Sequence, residues 1–278
     1  MMKNCFLSLL VLAGLSASAQ NPVKPTMSGF GAAQPQPFLF QVNTLTDATA
    51  SWSLNYSGSY GERTSSPFGY DGVDQQLALK GYLGDRFTLY ANAALGFARS
   101  GGVTGAQQAE VLRDVIGGKK LFGPRIGVGV GFSHDFANTS AIFSRITASY
   151  DVAKWRIGAN LRFEKAFAAG RDDIDLITSV GFHHRIAGAF YAGAEAVGQD
   201  LEGFWESDEA EGGAKLLVGP SVNYAPASSR FGFSLCGGPV FHATRSTVVE
   251  SGAIRDLGIS DISNGFTVRG AITFNLHK

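Results

Sequence analysis

Strict alternation of apolar and polar residues is the feature that most constrains the fold of this chain. In residues 155–164, WRIGANLRFE, one set of alternate positions reads Trp, Ile, Ala, Leu and Phe, and the other reads Arg, Gly, Asn, Arg and Glu. Successive side chains of a β-strand point to opposite faces, so this stretch predicts a strand with one apolar and one polar face.

About twelve segments share this alternation. They cover residues 48–60, 73–83, 87–98, 109–121, 126–134, 141–150, 155–164, 173–184, 189–198, 213–224, 230–243 and 264–276. Each is close to the ~9–11 residues that a tilted strand needs to cross a bilayer. Every second connection is short and most of the others are longer, as in outer-membrane barrels with an even strand number. The sequence therefore predicts an all-β fold, a single antiparallel transmembrane β-barrel over residues 48–278.

Segment 109–121 has an alternative interpretation. Ala109, Leu112, Val115 and Ile116 would also share one face of a helix that ends at Gly117. The alternation of short and long connections favours a strand here, because a helix would leave an odd number of strands.

The N-terminal residues differ in character from the barrel segments. Lys3, an apolar run from Phe6 to Leu15 and the triplet at 17–19 predict a secretory signal peptide over residues 1–19. Residues 20–47 carry four of the nine prolines and predict an extended periplasmic leader, with FLFQVNTL, residues 38–45, left open as an extra strand. The formal net charge of zero gives no reason to expect nucleic acid. Export and a barrel together predict the outer membrane as the location.

The polar face of each strand is predicted to meet water inside the barrel. A lipid-facing Arg at mid-depth would cost ~2–4 kcal/mol, whereas a hydrated lumen accepts both signs of charge. The residues predicted to line the lumen are Arg145, Arg156, Asn160, Arg162, Glu164, Asp173, Asp175, Glu195, Lys215 and Arg269. Pairing across the connections predicts Asn160 opposite Arg145, Arg162 opposite Asp175, and Glu164 opposite Asp173.

With its signal peptide, dyad repeats, unequal rims and aromatic-containing last strand, the chain resembles Gram-negative outer-membrane β-barrel proteins of the porin-like or transporter-like kind. The resemblance covers nearly all of the mature chain and implies a passive pore or transporter for a small solute. It also implies outer-membrane lipid, lipopolysaccharide and the barrel assembly machinery as partners. Such barrels commonly end on an aromatic residue, whereas this chain continues past Phe274 to Leu276, His277 and Lys278.

Other functions stay open at this point. If the lumen charges pair tightly, the barrel is a structural or surface-binding module, of the adhesion type, plugged by its own network. A barrel hydrolase is a third alternative, for which Ser144 faces outward, but no outward His lies at a matching height. His183 and His184 point to opposite faces, so they cannot bind one metal without distortion. We predict no catalytic site, no metal site and no cofactor.

Two short motifs are interpreted structurally. GVGVG, residues 127–131, lacks the strand-to-helix context of a phosphate loop, and its glycines are expected to leave room on the lumen side. ESDEAEG, residues 206–212, is either a solvated acidic loop or a calcium-binding loop.

Overall fold

The computed structural model describes residues 36–46, 52–62, 72–98, 101–120, 122–168, 174–205, 214–226, 229–243 and 265–276. Within these ranges the chain forms twelve strands and a short 3-10 helix, Leu201–Phe204. The strands are β1 (Trp52–Gly61), β2 (Gly72–Gly84), β3 (Phe87–Phe97), β4 (Val103–Ile116), β5 (Gly123–His134), β6 (Ser140–Asp151), β7 (Trp155–Ala166), β8 (Asp175–Ala187), β9 (Phe190–Gln199), β10 (Lys215–Tyr224), β11 (Phe231–His242) and β12 (Gly265–Asn275). No helix within the described ranges is long and apolar enough to span a bilayer.

The strands form one closed antiparallel barrel. Each strand pairs with its neighbours in sequence, and β1 pairs with β12 to complete the ring. The connections β2–β3, β4–β5, β6–β7, β8–β9 and β10–β11 have two to six residues and form what we call the short-turn rim. The opposite end is the long-loop rim. The predicted fold, an antiparallel transmembrane β-barrel of twelve strands, is confirmed.

Segment 109–121, for which the sequence allows a strand or a helix, contributes to strand β4. β4 begins at Val103, six residues earlier than predicted, and ends at Ile116. Gly117 and Gly118, with φ values of 75° and 82°, follow it in the left-handed region that glycine tolerates best. The helical alternative is wrong because β4 pairs along its length with both β3 and β5.

The outer wall presents a belt of exposed apolar side chains. Val130 is 67% exposed, and Ile157 and Leu161 on β7 are 39% and 37% exposed, although a soluble protein would bury such residues. The belt also contains Leu77, Leu95, Ile142, Ile146, Val180, Phe182, Leu235 and Ile272. Aromatic pairs stand at the short-turn rim, where the rings of Tyr150 and Trp155 lie 5.1 Å apart. This distribution suits a wall that contacts lipid, with aromatic side chains at the headgroup level.

The predicted strand registers are wrong by two residues. Arg145 lies opposite Arg162, and Asn160 opposite Thr147, because the last pair before the β6–β7 turn is Asp151 with Arg156. Similarly, Arg162 lies opposite Ile177, while Glu164 lies opposite Asp175. A shift of two residues changes the cross-strand partner but keeps every side chain on its own face. The assignment of inner and outer residues therefore survives the error.

The interior of the barrel contains part of the chain that the sequence analysis predicts to lie in the periplasm. Residues 36–46, which we call the lumen segment, are the described part of the predicted leader 20–47, and they lie inside the barrel and not in the periplasm. The rest of that leader and the predicted signal peptide, residues 1–19, lie outside the described residues. The lumen segment forms no strand, so the open alternative of an extra strand over 38–45 is also wrong. Phe40 and Val42 have no exposed surface. Together with Leu39 they contribute to the two largest apolar clusters of the described interior.

Candidate functional site

The lumen segment contacts opposite sides of the wall, which only an object inside the ring can do. The amide of Leu45 donates to Thr88 Oγ1 of β3 at 2.8 Å. The amides of Leu39 and Phe40 donate to Glu195 of β9, which lies six strands away in the twelve-stranded ring. The segment therefore crosses the whole width of the lumen.

The segment is a bent loop that enters and leaves near the short-turn rim. The Lys80 ammonium donates to Gln36 Oε1 at 3.1 Å and to Asn43 Oδ1 at 2.5 Å, so the two arms meet at one side chain. The Gln36 amide also donates to the carbonyl oxygens of Phe38 and Gln41 and thereby closes the bend. The tip of the loop is at residues 39 and 40.

The tip is held by one carboxylate. Glu195 Oε2 accepts the backbone N–H of Leu39 at 2.8 Å and that of Phe40 at 3.0 Å. The other oxygen, Oε1, accepts the Ser221 hydroxyl at 2.5 Å. One side chain, Glu195, therefore binds both amides of the tip and ties them to Ser221 of β10.

The aromatic rings of the loop occupy two pockets. The Phe38 ring lies over Gly158 and Gly181, which are direct partners on β7 and β8, and against the His183 ring at 4.6 Å between centroids. A Cβ on Gly181 would lie only 2.5 Å from the Phe38 ring, so the absence of side chains creates this slot. Phe40 lies in the second pocket, which the wall forms with Ile177, Val197, Leu217, Cys236 and Val240, and Leu39 of the segment belongs to the same cluster. The Arg269 guanidinium lies 4.7 Å from the centre of the Phe40 ring.

The returning arm is bound by polar groups of four strands. The Val42 amide donates to Asn160 Oδ1 at 2.7 Å. The Thr44 hydroxyl donates to Asp114 at 2.6 Å, and Arg125 donates to the Thr44 carbonyl at 3.0 Å. With the bond from Leu45 to β3, the wall binds main-chain groups at five places in residues 39–45.

A second polar cluster joins parts of the wall to each other. Arg145 Nε lies 2.8 Å from Glu110 Oε2, and both side chains are essentially fully buried. The two residues are on β6 and β4, so this ion pair passes over β5. It does so above Gly129, opposite Arg145, and Gly131, opposite Glu110. The GVGVG motif leaves room on the lumen side, and neighbouring side chains occupy it: a Cβ on Gly129 would meet Leu112 at 2.9 Å, and one on Gly131 would collide with Phe143 and Glu110.

Arg162 forms the centre of the same wall cluster nearer the long-loop rim. It donates to Gln108 at 2.8 Å and to Ser133 at 3.0 Å, and it forms an ion pair with Glu164 two residues along β7. Its guanidinium lies 3.8 Å from the centre of the Phe143 ring. Arg162 is therefore bound by side chains of the wall and not by the lumen segment.

The structure places most of the predicted lumen residues inside the barrel. Those that are buried there are Arg145, Arg156, Asn160, Arg162, Asp175, Glu195 and Arg269. Glu164 and Lys215 lie on the same inner face but are only half-buried near the long-loop rim. Asp173 lies outside the described residues. Whether any of these residues lines a conducting path stays a prediction.

The sequence interpretation missed other polar groups of the interior. Lys80, Asp114 and Arg125 are buried in the lumen, and so are Glu110 and Thr88. Their inward position follows from strand alternation, which would have found them had every segment been treated like residues 155–164. The lumen segment offered a weaker indication, since Phe38, Phe40 and Val42 alternate in the same manner as a wall strand.

The buried serine and histidine do not form a hydrolytic triad. His183 Nε2 lies 2.9 Å from Ser221 Oγ, but the carboxylate of Glu195 contacts the serine and not the other ring nitrogen of His183. A triad needs the acid on the imidazole, where it orients the base. Among the described residues, no group of three or more His, Cys, Asp or Glu side chains is placed to hold a metal ion. The acidic loop 206–212 lies outside the described residues.

One buried carboxylate lies beyond the end of a strand, at the long-loop rim. Asp200 follows β9, and its Oδ1 accepts the Leu176 amide at 3.1 Å. Burial, and then the nearby Asp175 carboxylate, raise the pKa of Asp200 to about 6. This part of the rim therefore carries less negative charge in mildly acidic medium than at neutral pH.

Comparison with solved structures places this barrel among outer-membrane channels by fold. The KdgM porin superposes with a TM-score of 0.51 at 8% identity, over 81% of this chain and 99% of that one. The NanC porin gives 0.52 at 10% identity, over 80% and 100% of the two chains. An outer membrane channel from Pseudomonas putida F1 gives 0.52 at 10% identity, over 87% and 99%.

The chain has the fold of these outer-membrane porins. No protein-family model matches the sequence, and no curated protein matches it. The likeness is therefore one of barrel architecture, as the resemblance in sequence pattern implied.

Proposed function

We propose that this protein is a passive pore for small polar solutes in the outer membrane. The observation that carries the proposal is a lipid-facing apolar belt around a lumen wall rich in ionisable side chains. Such a wall is costly in a dry core and ordinary around water. The shared fold with the KdgM and NanC porins supports the same function, and we propose a channel, not an enzyme. Membrane lipid, lipopolysaccharide and the assembly machinery are the proposed partners.

The proposed pore has to open by movement of the lumen segment. Because residues 36–46 cross the lumen in this structure, we infer that this conformation is closed. Side chains of the wall bind the segment, and the segment pairs with no strand. It can therefore leave without breaking any hydrogen bond between strands. Six basic and seven acidic side chains are buried among the described residues, so we expect weak selectivity between cations and anions.

A self-plugged structural barrel is the second candidate. It is favoured by the ion pair of Arg145 with Glu110 and by the fit of Phe38 and Phe40 in their pockets. In this alternative the lumen segment is a permanent part of the core, and the outer wall or the loops carry the function.

Planar-bilayer conductance separates the two candidates. Phe40→Ser removes the ring from its pocket, so the pore proposal expects frequent stepwise currents from this variant and rare ones from the unaltered protein. The matched control is Phe233→Ser, which removes the same ring from the lipid-facing wall, where Phe233 is 47% exposed. Folding of all three proteins is checked by the shift in gel migration on boiling. Absence of current from folded Phe40→Ser protein would reject the pore and favour the structural barrel.

A further inference from the structure

We propose that the lumen is a binding site for a short bent peptide, which residues 36–46 occupy in this structure and which peptide from solution can occupy in their place. The proposal deepens the pore function by naming the class of ligand. Its current-blocking readout rests on that function, whereas its binding readout does not.

The wall recognises main-chain groups of the segment. The carboxylate of Glu195 accepts two consecutive amides, those of Leu39 and Phe40. Further along the segment, side chains of β7, β3 and β5 bind the amides of residues 42 and 45 and the carbonyl of residue 44. Every peptide carries these groups, so this part of the site reads polypeptide chemistry and not one particular sequence.

The wall also provides shaped positions for two side chains. The paired glycines 158 and 181 form a flat floor for an aromatic ring, and His183 stacks on that ring. The second ring, two residues later, enters an apolar pocket beneath the Arg269 guanidinium. The preferred ligand is thus a bent peptide with aromatic residues at positions i and i+2.

The wall loses several hydrogen-bond donors when the segment leaves. Glu195 then keeps only the Ser221 hydroxyl among these partners, although it is 2% exposed in the filled lumen. Asn160 and Thr88 each lose an amide donor from the segment. A second peptide of the same shape restores all of these hydrogen bonds at once.

The resident segment has a large advantage over free peptide because it is tethered. Its effective concentration at the site is in the millimolar range or above for a short connection. Peptide in solution is therefore expected to compete only when the resident segment binds less well, and the test uses a variant of the full chain in which one of its rings is removed.

The experiment measures binding of a fluorescent peptide, QPFLFQVNTLT, to detergent-solubilised Phe40→Ser protein by anisotropy, with Phe38→Ser as a second host. We expect saturable binding that unlabelled peptide displaces, and much weaker binding to the unaltered protein. A peptide N-methylated at the two residues that contact Glu195 cannot donate there, so it should bind at least about tenfold more weakly. A scrambled peptide of the same composition should show a similar loss.

The outcomes separate the two proposals. Failure of both hosts to bind the peptide saturably would overturn the inference, and so would equal binding of the N-methylated or scrambled peptide, which would indicate apolar adsorption. Peptide that binds folded protein in which no variant conducts would reject the pore and leave the peptide site standing. A conducting Phe40→Ser variant whose current the peptide leaves unchanged, without saturable binding, would leave the pore standing and reject the peptide site.

Discussion

The two polar clusters of the lumen differ in what they connect. The cluster around Arg145 and Arg162 joins wall to wall, and its carboxylates and amides all come from strands. The cluster around Glu195 joins wall to lumen segment, and most of its donors belong to residues that form no strand. The first cluster is therefore part of the barrel, whereas the second persists only while the segment stays inside. This difference predicts that the two clusters respond differently to substitution.

The largest expected effect is at the wall-to-wall ion pair. Glu110→Ala leaves the buried Arg145 guanidinium without its counter-charge, which we expect to cost about 3–5 kcal/mol of barrel stability. Unfolding by urea in detergent, followed by loss of heat-modifiable migration, measures the cost. The control is Glu110→Ala combined with Arg145→Met, which removes both charges and should recover much of the loss. A single substitution as harmless as the double one would show that the ion pair does not stabilise the wall.

The wall-to-segment cluster should respond locally. Gly181→Ala places a methyl group 2.5 Å from the Phe38 ring, and the loop has to shift. We expect the local opening free energy of residues 38–42 to fall by about 1–3 kcal/mol while the strands keep their stability. Amide hydrogen exchange at residues 39, 40 and 42, compared with that of strand amides, measures both quantities.

Gly105→Ala is the matched control for this substitution. Gly105 is on the outer wall, where an added Cβ would meet its nearest neighbour at 3.8 Å, so exchange of the loop amides should not change. If Gly181→Ala instead destabilised the strands as much as the loop, the lumen segment would be an integral part of the barrel core, and the contrast between the two clusters would disappear.

Much of the fold followed from the sequence because strand alternation is a local property. The inner and outer faces of residues 155–164 are predicted correctly from alternation alone, because a register error of two residues leaves every side chain on the same face. The sequence does not predict the ion pair of Arg145 with Glu110, because the two residues are on β6 and β4 and the strand between them contributes only glycines at the facing positions. The position of residues 36–46 could not be read either. Their alternation fits a wall strand equally well, and only Glu195 and the paired glycines, more than a hundred residues away, distinguish a lumen from a lipid environment.

Asp200 is a buried carboxylate near a second one, Asp175, and its removal should affect stability in the opposite direction to the removal of Glu110. Since the pKa of Asp200 rises from 3.8 to about 6 in the fold, the folded protein holds its proton more tightly than the unfolded chain does. This group then favours folding below pH 3.8, and that contribution is lost as the pH rises through about 6. We expect Asp200→Asn to stabilise the protein at pH 8 by about 1–2 kcal/mol and to have little effect at pH 4. Urea unfolding at both pH values is the measurement. Equal effects at the two values would contradict the reversed sign.

The smallest expected effect is at the half-buried end of the wall-to-wall cluster. Glu164 keeps 14% of its side-chain surface exposed, and its partner Arg162 retains Gln108 and Ser133 when the carboxylate is removed. Glu164→Ala should therefore cost about 0.5–1 kcal/mol in urea unfolding, several-fold less than Glu110→Ala, although both substitutions remove a carboxylate from a buried arginine. Arg162 keeps two neutral hydrogen-bond partners after the substitution, whereas Arg145 loses its main partner, the Glu110 carboxylate. A loss at Glu164 as large as that at Glu110 would show that charge, and not the number of remaining hydrogen bonds, determines the cost along this wall.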